Sequence, residues 1–87
     1  MPNPLLRQRI FDVLKAGRFA DPNDLVDVSR GDGDNVHVVV VSRKFDGKPS
    51  REREEMLWSE LTHRLPRELF TRVSLLVGVS PERIKAL

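Results

Sequence analysis

Four consecutive valines, Val38 to Val41, followed by Ser42 and a charged turn, constrain this chain more than any other feature. β-Branched residues lose side-chain freedom in a helix and fit the pleated surface of a sheet, so the run reads as a strand. Unbroken apolarity further implies a central strand, covered on both faces or with its outer side partly shielded. Either Val38 and Val40 or Val39 and Val41 then face a layer of helices. The phase stays open, because both sets are valine.

The rest of the chain supplies that layer. Pro4 suits a first helical position and Asn3 its N-cap; Leu6, Ile10, Val13 and Leu14 then share one helical face, with Phe11 beside them. Gly17 stops this helix. FADPND is turn material, and Leu25-Val26-Asp27-Val28 alternates like a half-buried strand. Gly31-Asp32-Gly33-Asp34-Asn35 supplies residues that accept positive φ, which predicts a hairpin loop before the valine strand.

After Phe45-Asp46-Gly47 the period becomes helical. Ser50 is the expected N-cap, with Glu52, Glu54 and Glu55 near the positive end of the helix dipole. Met56, Leu57, Leu61, Arg64 and Leu65 form a stripe that Trp58 widens. Leu65-Pro66 ends the helix and starts a short second one through Phe70. Val73 to Val79 is a third strand, and Ser80-Pro81-Glu82 caps a last helical turn running to Leu87. The predicted order is α-β-β-α-α-β-α: an α+β fold with a three-stranded mixed sheet and helices on one face, in one domain over residues 1–87.

Composition narrows the function classes. At 87 residues the chain has one modest core, burying roughly 60% of the surface that its unfolded form exposes. Hydrophobic residues at 39% and charged residues at 32% oppose disorder. Without cysteine there is no disulfide, thiolate ligand or cysteine nucleophile, which suits a cytoplasmic chain. No segment is apolar enough for a signal peptide or a membrane span. The net charge of +2 is unevenly spread: residues 1–42 hold five Lys/Arg and six Asp/Glu, residues 43–87 ten and seven.

The best basic cluster is Arg43, Lys44, Lys48, Arg51 and Arg53, at a turn and helix start where side chains and exposed amides approach phosphates. Glu52, Glu54 and Glu55 interleave with it. No defensible Ser/His/Asp order, phosphate-cradling glycine loop or metal-ligand spacing occurs, so no catalytic residue, metal site or cofactor is expected. His37 and His63 are isolated and read as structural or exposed, Trp58 as core, and the loop aspartates as solvated.

VVVVSRKFDGKPSREREEMLWSEL resembles the BolA family, in which a Val-rich strand ends in Ser and leads through Phe-x-Gly to an Arg-containing helix. Here these are Val38 to Val41, Ser42, Phe45, Gly47 and Arg53. Val73-Ser74-Leu75-Leu76 and Ser80-Pro81-Glu82 are similar to the family's last strand and the start of its terminal helix. The resemblance implies the BolA-like relative of the type II KH fold, and a small non-enzymatic regulatory protein. It implies two partner classes, nucleic acid and a monothiol glutaredoxin-like protein.

The departures bear on both. Arg53-Glu54-Glu55 stands where the family has Arg-His-Arg, and Ser74 stands where cluster-sharing members place a histidine. The GDGDN loop lacks the Cys or His that such members often add. Ser and Asn are poor ligands for iron beside sulfide, so cluster sharing loses its chemistry. Gly47-Lys48-Pro49-Ser50 lacks the second glycine of the KH backbone clamp.

Overall fold

A computed structural model of the chain describes residues 4–82. Helix α1 spans Pro4–Ala16, strands β1 and β2 span Leu25–Arg30 and Val36–Val41, and a single 3₁₀ turn covers Arg43–Phe45. Helix α2 (Ser50–Arg64), a short α3 (Arg67–Phe70) and strand β3 (Val73–Val79) follow. Pro81 and Glu82 are helical. The expected cap at Asn3 and the remainder of the last helix lie outside the described residues.

The sheet has the order β1-β2-β3, so the valine strand is central. β1 pairs with it antiparallel, Val26 opposite Val40 and Val28 opposite Val38; β3 pairs with it parallel, Leu76 beside Val38 and Gly78 beside Val40. Val36, Val38 and Val40 are fully buried, whereas His37, Val39 and Val41 are half-buried. That settles the phase, and the outer side is the partly shielded kind.

The inner face packs on two helical stripes. Leu6, Ile10 and Leu14 of α1 and Leu57, Leu61 and Leu65 at α2 recur at four-residue spacing and join the buried valines, Phe19, Phe45, Val73 and Leu76 in one core. Each fully buried Val, Leu or Phe contributes about 1.5–3 kcal/mol relative to exposure, so this cluster supplies the main driving force. Val13, Met56, Trp58, Leu69 and Phe70 pack partly buried around it.

Two expectations need correction. Ser50 does not cap α2: Pro49 takes the N-cap position, no side chain caps the helix, and the Ser50 Oγ instead accepts from Arg53 at 2.9 Å. Arg64 leaves the apolar stripe and lies 3.9 Å from Glu60, because the buried line runs through Arg53, Leu57, Leu61 and Leu65. Phe11, expected beside the apolar face of α1, lies on its shoulder and is 37% exposed.

A bulge sits at the start of β3. Val36 pairs with Val73 but His37 pairs with Leu75, so Ser74 is the extra residue. One inserted residue shifts the in-out alternation. It explains why Val73 and Leu76, three apart, are both buried while Ser74 and Leu75 are exposed.

Candidate functional site

The turn from Ser42 into α2 is built by three locks. At its base the Asp24 carboxylate, only 5% exposed, accepts from the Ser42 Oγ at 2.7 Å and from the Lys44 Nζ at 2.6 Å. The same Ser42 Oγ accepts from the Lys44 amide at 3.1 Å and caps the 3₁₀ turn. A second cation, Lys15, donates to the Asp24 and Asp21 carbonyls at 2.9 and 3.1 Å.

The second lock is aromatic. The 3₁₀ turn drives Phe45 fully inside, where its ring tilts against Phe19 with centroids 5.5 Å apart. A side chain at Gly78 has no room beside it, since an added Cβ would lie 2.9 Å from the Phe45 ring and 3.2 Å from the Arg53 Cβ. The third lock is Arg53. Its Nε donates to the Gly78 carbonyl at 2.7 Å, and its two terminal nitrogens to the Lys48 carbonyl at 2.6 Å and the Ser50 hydroxyl at 2.9 Å. A planar guanidinium holds three acceptors in fixed directions, which an ammonium cannot.

Between these locks Gly47, at φ +72°, reverses the chain, and the turn borders an open groove of about 610 Å³. Its walls are residues 45–50 with Arg53, Ser80 and Glu82. The Ser80 hydroxyl donates to Asp46 and accepts from the Glu82 amide at 3.3 Å, tying the end of β3 to the turn.

The five cations picked out by sequence therefore divide. Arg43, in the 3₁₀ turn, and Arg51, in the first turn of α2, are exposed, and half-exposed Lys48 lines the groove. Lys44, adjacent to them, is bound to Asp24 and lies 5.8 Å from the centroid of the Phe19 ring. Arg53 is buried and turned away from solvent, with its hydrogen bonds directed at β3 and the turn. The exposed cations share their surface with acids: Arg51 lies 3.5 Å from Glu55, and Asp46, Glu52 and Glu54 are exposed nearby.

Reading the sequence missed Asp24, which organises the base of the turn. Its partners are 18 and 20 residues away, and a lone Asp in FADPND carries no local sign of burial. The two histidines have different neighbours. His63 Nδ1 lies 2.7 Å from the Ser59 carbonyl, and His37 leans over Gly31, where an added Cβ would meet its ring at 2.9 Å. Ser74 is exposed at the bulge, with its Oγ 3.5 Å from the Val36 carbonyl. Among the described residues no helix is long and apolar enough to cross a membrane.

No protein-family model matches this sequence, and no curated protein matches it. A solved structure, BolA1 from Arabidopsis thaliana, is similar to it with a TM-score of 0.56 and 20% identity, over 94% of this chain and 96% of that one. At that identity the likeness concerns the backbone. The three-stranded mixed sheet with helices packed on it thus has a BolA-like fold.

Proposed function

We propose that this protein is a small non-enzymatic regulatory module that binds nucleic acid at the start of α2. The observation that carries the reading is a first turn of α2 that no side chain caps, with Arg51 exposed in it, Lys48 half-exposed just before it and Arg43 exposed in the preceding 3₁₀ turn. Unsatisfied amides at a helix N-terminus and the positive end of its dipole favour phosphate, and flanking cations add charge. Lys44 and Arg53 serve this surface indirectly, by holding the turn in shape. Binding of this kind follows the backbone and is largely indifferent to sequence.

The test is a fluorescence titration of labelled single- and double-stranded oligonucleotides at two salt concentrations. Binding through two or three phosphates must weaken as salt rises. Absence of affinity at low salt would dismiss the reading.

A second reading is a protein-partner adaptor that pairs with a monothiol glutaredoxin-like protein without ligating its cluster. It rests on the likeness of fold and on Ser74, whose exposed hydroxyl stands at the β3 bulge where an imidazole would be needed. The two readings separate by salt dependence, because an apolar protein contact need not respond to it.

A further inference from the structure

On the opposite side of the molecule from β3, strand β1 is an edge strand, and α1 runs beside it. Arg7, Gln8 and Phe11 of α1 and Val26, Asp27 and Val28 of β1 line a groove of about 420 Å³. Alternate N–H and C=O groups of an edge strand point away from its neighbour. Among the described residues no backbone hydrogen bond reaches Leu25–Ser29 from outside the sheet. Among the described residues this edge is therefore open, and it runs along a groove.

The groove also carries a charge that none of the described residues answers. Arg7 is half-buried, its Nε is shut off from water without a hydrogen-bond partner, and it makes no ion pair among the described residues. Gln8 is already engaged with Asp12 at 2.8 Å. Asp27 alternates with the inward-facing Val26 and Val28, so it projects to the sheet face away from α1. On the helix side the unanswered charge is the guanidinium, and on the far side it is the carboxylate. Phe11, 37% exposed, adds an apolar wall next to Arg7.

We infer that β1 accepts an extended peptide segment as a fourth strand, with one carboxylate of the peptide, on the side facing α1, paired to Arg7. Backbone pairing to an open edge gives such segments their affinity, and alternate side chains give specificity. Complementarity dictates the pattern. Residues facing α1 combine a Glu for Arg7 with β-branched side chains for Phe11, while residues on the other face are polar or basic, opposite Asp27. An Arg–carboxylate pair is charge-assisted and directional, which makes the acidic position selective.

The probe is fluorescein-labelled Thr-Val-Lys-Glu-Lys-Val-Thr, titrated into the whole protein by anisotropy. The expected result is saturable binding that weakens tenfold or more when the central Glu becomes Gln, and a loss of that difference in Arg7→Gln. Two further peptides are N-methylated at alternate residues in opposite phases. One should lose binding and the other keep most of it, because only one set of amides faces β1. Exchange of the outward β1 amides should slow when the parent peptide is added. No saturable binding, equal affinity for both methylated phases, or equal affinity for Glu and Gln peptides would overturn the inference. So would sedimentation showing that the free protein dimerises with its β1 amides already protected, since the edge would then belong to a second copy.

Discussion

Arg53 Nε and the Gly78 carbonyl, 2.7 Å apart, tie the first turn of α2 to the end of β3. The residue that sequence places at the tip of a basic surface is instead the pin of the junction behind it. A buried charge is tolerated there because three acceptors surround it, with Phe45 and Gly78 in close contact.

Removing the pin should destabilise the fold. Arg53→Ala strips the Gly78 and Lys48 carbonyls of a charged donor, with an expected cost of about 3 kcal/mol. Arg53→Lys recovers only part, since an ammonium cannot reach the three acceptors in the same geometry. Urea melts of the three proteins check this; equal midpoints would show that the junction does not depend on the guanidinium.

Gly78→Ala should cost about 1–3 kcal/mol, because the new methyl overlaps the Phe45 ring. Phe45→Leu makes space at that point while opening a cavity of its own. The double variant should therefore be more stable than the sum of the two single effects implies. Strict additivity in thermal melts would place the clash elsewhere.

Within the valine strand the two phases should differ. Val40→Asp puts an unpaired carboxylate in a fully buried site and should cost several kcal/mol, enough to abolish cooperative melting. Val39→Asp faces the half-exposed side and should leave a folded, weakened protein. Circular dichroism melts distinguish them, and a cooperatively folded Val40→Asp protein would contradict the central placement of this strand.

For the basic turn, Lys48→Glu combined with Arg51→Glu should leave the fold intact, as the backbone carbonyl of residue 48 still accepts from Arg53. A glutamate at position 51 beside Glu55 costs only about 0.2–0.5 kcal/mol. Affinity for all oligonucleotides should fall together, and the salt slope should become shallower by about 2. An unchanged titration would move the binding surface off this turn.

At the bulge, the parent chain mixed with a cluster-loaded monothiol glutaredoxin should leave the visible spectrum unaltered, since Ser74 offers only a hydroxyl. Ser74→His should create a spectral change if the adaptor reading holds. A shift with the parent that His37→Ala or His63→Ala abolishes would instead assign the ligand to one of those histidines.

The type and order of every described α-helix and strand were readable in the chain, because each rests on local causes. Four-residue spacing placed Leu6, Ile10 and Leu14 on one face, Pro66 ended α2, and the valines left little choice but a strand. BolA-like motifs carried the same order to a named fold, and the backbone likeness agrees with it. Which valines face inward was undetermined, since both phases carry the same side chain and only the helices above them break the tie. The fates of Lys44 and Arg53 were equally hidden. A cation's sequence neighbours do not reveal whether a carboxylate 20 residues away or a carbonyl 25 residues away will meet it. Burial of Asp24 and of Arg53, the bulge at Ser74 and the open edge of β1 exist only once the strands are paired. Local preference selects the elements; long-range partners decide which polar groups are satisfied inside and which remain available to bind something else.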